Sequence, residues 1–108
     1  MANYSFTNAI FRNVGVSEQV VYTPPGGKKS IVLQLDIANV TNGDVHATYY
    51  IKRSGTAYNG AKTALIGAGT TLQAIYGQRM VLLDGDSLCV VSDTATSLDI
   101  TCSLLEDV

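Results

Sequence analysis

Apolar and polar residues alternate with a period of two along much of the chain, as expected of strands that bury one face. In SIVLQLDIANV (30–40), Ile31, Leu33, Leu35 and Ile37 share one parity, and Gln34 and Asp36 take the other. In VHATYYIKR (45–53), Val45, Ala47, Tyr49 and Ile51 face one way and His46, Thr48, Tyr50 and Lys52 the other. Between the two runs lies Thr41-Asn42-Gly43-Asp44. An Asn-Gly pair between alternating runs is the strongest short hairpin signal, so these strands are expected to pair antiparallel. The run EQVVYT stops at Pro24-Pro25-Gly26-Gly27, where proline removes a ladder donor and glycine permits positive φ.

Further along, Ser54 to Gly60 reads as an irregular loop, Thr63 to Ile66 as a short strand and Gly67 to Gly69 as a turn. Strands follow over Thr70 to Tyr76 and over RMVLL. A helix through Gly67 and Gly69 would lose about 1 kcal/mol at each relative to alanine. After the turn Asp84-Gly85-Asp86, SLCVVS is expected to pair with SLDITCSLLE across Asp93 to Thr96. In that last strand Leu98, Ile100, Cys102 and Leu104 share a face. About seven to eight short strands with turn signals roughly every 8 to 12 residues predict an all-β fold, an antiparallel β-sandwich or a small jelly-roll-like barrel. Residues 1–16 have poor periodicity and read as an N-terminal arm or edge strand ahead of a single sandwich domain over 17–108.

Composition narrows the function classes. Valine, isoleucine and threonine are abundant, in keeping with strands. Seven basic against nine acidic residues give a net charge of −2, which supplies no positive field for phosphates or anionic lipid. Neither nucleic acid nor a membrane surface is expected as a partner. No apolar run reaches about 18 residues, and MANYSFTNAIFRN lacks the order of a secretory signal. The protein is therefore expected to be made and used without crossing a membrane. Its two cysteines, Cys89 and Cys102, are too few for a disulfide framework. The register that pairs Leu88 with Cys102 and Val90 with Ile100 buries the more apolar set and turns Cys89 outward, which favours free thiols over a disulfide.

Candidate chemistry is sparse, and no catalytic residue, cofactor or metal is expected. The single histidine, His46, would need a cysteine and an orienting carboxylate beside it to form a nucleophilic pair, and no local signature supports this. A surface histidine beside a turn is the plainer reading. Asp84, Asp86 and Asp93 offer hard oxygen ligands but lack the spacing of a known calcium loop, and Asp and Gly are ordinary turn formers. PPGGKKS lacks the spacing of a phosphate-wrapping loop. Tyrosine is the commonest aromatic, with six residues and no tryptophan, and it joins a broad apolar face to a polar tip. Tyr49 suits core or edge packing, which leaves Tyr50 and Tyr58 as candidate interface residues. On residues 1–16, Tyr4, Phe6, Ile10 and Phe11 have no strong place in the sandwich and are candidates for packing on a partner subunit.

The runs SIVLQLDIANVTNGDVHATYYI and VLLDGDSLCVVSDTATSLDITCSLLE resemble a group of small virion proteins of tailed bacteriophages. Those proteins carry a strand ending in ANVT or similar, and a C-terminal pattern like L-x-x-GDSL-x-V-x-SDTA-x-S-x-D, here Leu82 to Asp99. The resemblance covers about residues 30 to 105, and its motifs are turn and strand residues. It implies a structural, non-enzymatic component of the virion, assembled in the bacterial host cytoplasm. Its partners would be the major capsid protein or other virion proteins. A capsid decoration or cement protein is the first expectation, and a neck or tail accessory protein at the head-to-tail junction is the alternative. A homo-oligomer is expected, with a trimer suited to local threefold axes of a shell. Exposed strand edges also invite pairing between copies. From another class, a soluble carbohydrate-binding β-sandwich would use Tyr50, Tyr58 and Tyr76 as stacking surfaces.

Overall fold

A computed structural model describes residues 4–107. They form eight strands: β1 (Tyr4–Val14), β2 (Gln19–Tyr22), β3 (Ser30–Asn39), β4 (Val45–Arg53), β5 (Thr56–Ile66), β6 (Thr71–Leu82), β7 (Asp86–Ser92) and β8 (Leu98–Asp107). Every pairing is antiparallel, and the strands build two four-stranded sheets, β1-β8-β3-β6 and β2-β7-β4-β5. They are called below the β1 sheet and the β2 sheet. This is a β-sandwich whose strand order is that of an eight-stranded jelly roll.

The chain changes sheet at every connection except β4 to β5. Two expected pairings therefore do not form. β3 and β4, which flank the Asn-Gly pair, lie in opposite sheets, and so do β7 and β8. The segment after β3 is a crossing between sheets, fixed by Asn39, which is buried. Its amide donates to Gly43 O at 2.8 Å and Ile66 O at 2.9 Å, and its oxygen accepts from Thr41 N and Oγ1. The one true hairpin joins β4 to β5 through Ser54 and Gly55, both left-handed at φ 52° and 80°, as a tight hairpin turn requires. β5 begins immediately after it, so the loop expected over Ser54 to Gly60 is mostly strand.

Inward parity holds on β4 and β8, where Val45, Ala47, Leu98, Ile100, Cys102 and Leu104 are buried. On β3 it is broken. Val32 pairs with Leu104 and Gln34 with Ser103, so Leu33 is an extra residue, a bulge. Val32 therefore joins Leu35 and Ile37 in the core, while Ile31 and Leu33 are only half-buried. The two strands expected over Thr70 to Tyr76 and RMVLL are one strand, β6, bulged around Gly77, whose φ is 79°.

The core between the sheets comprises Val14, Val21, Val32, Leu35, Ile37, Val45, Ala47, Ile66, Ile75, Leu82, Leu88, Val90, Leu98, Ile100, Cys102 and Leu104. Tyr49 spans the gap at the β5–β6 side and donates to Ala74 O at 3.2 Å. Its ring occupies the space where a Cβ on residue 60 would stand, so Gly60 is required there. At one end of the sandwich Arg53 holds the fully buried Asp86 through two hydrogen bonds of 2.5 and 2.8 Å. The Arg53 guanidinium lowers the Asp86 pKa, and the Leu83 N–H assists. Nearby, Tyr22 donates to Glu106 Oε2 at 2.5 Å and lies 3.1 Å from Ser30 Oγ. At the opposite end Ser92 and Ser97 hydroxyls meet at 2.6 Å, and the Val14 and Gly15 carbonyls accept from Ser97 and Ser92.

Candidate interaction surface

The residues singled out by sequence fall on different parts of this frame. Of the expected arm, residues 1–3 lie outside the described residues, and Tyr4–Val14 is β1, an edge strand paired along its length with β8. Register then decides what each side chain does. Thr7 pairs with Leu104, Ala9 with Cys102 and Phe11 with Ile100, all toward the core, and Phe11 and Ala9 pack against it. Tyr4, Phe6 and Ile10 have the opposite parity and are 53%, 78% and 66% exposed. Phe11 is thus separated from the other three.

On this outer side the ladders align apolar residues across the whole β1 sheet. Phe6 pairs with Leu105, Leu105 with Ile31 and Ile31 with Val81. One row therefore crosses all four strands and runs from the 78%-exposed Phe6 to the 53%-exposed Val81. The bulged Leu33 lies beside it, and with Phe6, Thr7, Asn8, Ser103 and Leu104 it lines a shallow groove of about 430 Å³. The adjoining rows are Asn8–Ser103–Gln34–Tyr76 and Ile10–Thr101–Asp36–Gln73, polar at their centres and apolar at one edge each, Tyr76 and Ile10. Gln34 Nε2 donates to Asp36 Oδ2 at 2.6 Å, while Asp36 Oδ1 has no partner among the described residues.

The outer side of the β2 sheet is built differently. Cys89 points away from the core, between Val20 and Tyr50, yet it is fully buried. Tyr50 donates to Glu18 Oε1, and Lys52 Nζ lies 3.4 Å from Glu18 Oε2, so this trio makes a polar cover. The hydrogen bond from Tyr50 is the main cause of a lowered Glu18 pKa. Burial raises the pKa of the Tyr50 phenol. It also pushes Cys89 up to about 11 and Cys102, in the core, up to about 12. Both thiols are free. The inward set Leu88, Val90, Ile100 and Cys102 and the outward Cys89 are as expected. The expected register between them is not, because β7 and β8 never pair.

Tyr50 is accordingly engaged within the chain, whereas Tyr58 is 60% exposed. Tyr50, Tyr58 and Tyr76 do not share a surface. Tyr50 pairs with Cys89 on the outer side of the β2 sheet, Tyr58 pairs with the core-packed Ile51, and Tyr76 lies in the other sheet. His46 is exposed, with Nδ1 3.0 Å from Asp93 Oδ2. The His46 backbone N–H is the main cause of a lowered Asp93 pKa. Asp93 follows β7, at the far end of that strand from Asp84 and Asp86, so the three carboxylates do not converge. Among the described residues no group of three or more His, Cys, Asp or Glu side chains is placed to hold a metal ion.

The sequence reading missed Ile31, Leu33, Val81 and Leu105 as surface residues. For Ile31 and Leu33 the signal was inverted by the Leu33 bulge, which exchanges inward and outward parity in the middle of β3, whereas Val81 and Leu105 join the row only through the pairing of β6 and β8 with β3.

No family profile and no curated protein matches the sequence. The fold does have a solved counterpart. A chain from a structure of Bacillus endospore appendages, described as a novel family of disulfide-linked pili, superposes with a TM-score of 0.59. The match covers 99% of this chain and 89% of that one at 11% identity. At that identity the similarity is one of fold.

Proposed function

We propose that this chain is a non-enzymatic structural subunit of a bacteriophage virion, a decoration or cement protein that binds and stabilises the major capsid shell. The observation that carries the reading is the outer face of the β1 sheet, where an apolar row crosses four strands, exposed at both ends and half-buried between them. Contiguous apolar surface of this kind marks interaction sites. The resemblance to small virion proteins over residues 30 to 105 supports the setting, and jelly rolls are a common fold of viral shells. Binding would work by burying Phe6, Leu105, Ile31 and Val81 against neighbouring shell subunits, which stabilises whatever arrangement they bridge.

A second reading, as a subunit of a non-viral filament, is favoured by the fold shared with the endospore appendage protein, whose assemblies are disulfide-linked pili. Against it, both cysteines of this chain are fully buried, so no thiol is presented to a neighbour in the folded state.

Quantitative mass spectrometry of purified particles distinguishes these. A ratio to the major capsid protein near one to one, or one per local threefold, is expected. A copy number of about a dozen would replace the shell by the neck or tail, and absence from particles would overturn the virion reading.

A further inference from the structure

A sandwich that is not a closed barrel has four strand edges, and this one treats them unequally. β2 is only four residues long and runs into Pro24-Pro25. β5 carries two irregularities against β4, with Gly60 and the left-handed Thr63 in the disturbed stretch and Lys62 beside them. β6 is likewise displaced twice against β3, around Gly77 and at Ala74, and bears Arg79. Short length, proline, bulges and edge cations are the devices by which sheets resist pairing with another chain. β1 carries a cation, Arg12, and the left-handed Asn13 only near its far end, and none of these devices between Tyr4 and Phe11. Its register to β8 runs without interruption over that span, and the first irregularity comes only between Phe11 and Val14. It pairs with β8 alone, which leaves the backbone groups of its other side without a strand partner.

We infer that β1 pairs antiparallel with β1 of a second copy about a twofold axis, joining the two β1 sheets into one continuous sheet. A single open edge can be satisfied only by the same edge of a partner, which makes the contact isologous and closed. The product is a dimer, not the threefold ring suggested by the resemblance.

The side chains choose the register. An antiparallel pair must keep outward residues opposite outward residues, so even-numbered positions of β1 face even-numbered positions. With Asn8 on the axis, Phe6 stands opposite the partner's Ile10, and Ile10 opposite the partner's Phe6. Aromatic with β-branched is a favourable cross-strand combination. Tyr4 then stands opposite the partner's Arg12, a cation over an aromatic face. On the inner side Thr7 meets the partner's Ala9. The three exposed apolar side chains of β1 each gain a lateral neighbour from the partner, and the apolar row of each outer face continues into that of its partner.

The test is independent of whether the protein is found in virions. Purified full chain is examined by light scattering after size exclusion, and twice the monomer mass is expected. Phe6→Lys combined with Ile10→Lys, both at exposed positions, should restore the monomer mass with an unchanged circular dichroism spectrum. Asn8→Cys should crosslink to a dimer on oxidation or with a short bis-maleimide, while Tyr76→Cys on the opposite edge strand should not; the native thiols are buried. A monomer at every concentration would overturn the inference. So would an open-ended series of oligomers, or a dimer that survives the lysine pair and does not crosslink through residue 8.

Discussion

The outer faces of the two sheets come from strands of similar composition and end up chemically opposite. On the β2 sheet the outward Cys89 is buried beside Tyr50, which is tied to Glu18 next to Lys52, and the exposed apolar residues Val20 and Leu65 fall in different rows. On the β1 sheet the corresponding area carries Phe6, Leu105, Ile31 and Val81 in one row, with Phe6 and Val81 exposed and the two between them half-buried. The first face keeps its exposed apolar residues apart and shelters Cys89 within the chain. The second aligns its apolar residues in one row, and so it is where association should be sought. A soluble domain tolerates scattered exposed apolar residues, but a row in cross-strand register is a surface with a direction and a width.

Tyrosine truncation probes this contrast most strongly. Tyr50→Ala removes the cover of the β2 face and should destabilise the isolated chain by about 1–3 kcal/mol in urea unfolding. Tyr76→Ala on the β1 face, where the side chain is 62% exposed, should stay within about 0.5 kcal/mol. Equal costs would abolish the distinction between a self-covered and an uncovered face.

Thiol chemistry sharpens the same contrast. Both cysteines should resist alkylation in the native state, since a thiol held up to about 11 or 12 carries almost no thiolate at neutral pH. Tyr50→Ala should speed alkylation of Cys89 selectively by at least about tenfold while leaving Cys102 protected, because only Cys89 lies beneath that lid. Peptide mapping after timed labelling reads both sites in one experiment.

Alkaline pH gives the mildest test. Cys89 and Cys102 have folded pKa values raised above the unfolded value of about 8.5. The unfolded chain therefore loses protons first as pH rises. The stabilisation from keeping both thiols neutral is complete below that value and declines as pH climbs through about 9 toward the folded values. Thermal melts should be flat through neutrality and fall above about pH 9, and a Cys89→Ser, Cys102→Ala double variant should show a shallower fall.

Much of the strand inventory was legible because period-two alternation is a local property. His46, Thr48 and Lys52 lie on the polar side of β4 and Leu98, Ile100, Cys102 and Leu104 on the buried side of β8, as parity alone indicates. Where a bulge intervenes the same reasoning fails. Leu33 shifts the phase of β3, so Ile31 goes outward and Val32 inward, and nothing in SIVLQLDIANV marks the extra residue. The surface of the β1 sheet was legible on β1 itself, where Tyr4, Phe6 and Ile10 stood out. It was hidden on β3, where Ile31 and Leu33 read as core, and on β6 and β8, where only strand pairing brings Val81 and Leu105 into the same row.

By itself, then, the sequence determined that this protein is all-β, how its apolar faces alternate on the strands without bulges, where most of its turns fall, and that Cys89 and Cys102 point to different environments. Tertiary structure alone decided which strand lies beside which. The Asn-Gly turn between β3 and β4 is an ordinary hairpin signal, yet seating both sheets over one core draws its two strands into opposite layers. Burial of Leu35, Ile37, Val45 and Ala47 is satisfied equally well across the sandwich as within a sheet. Short-range pattern specifies a face for each strand, whereas the neighbour that covers the face is set by the packing of all eight.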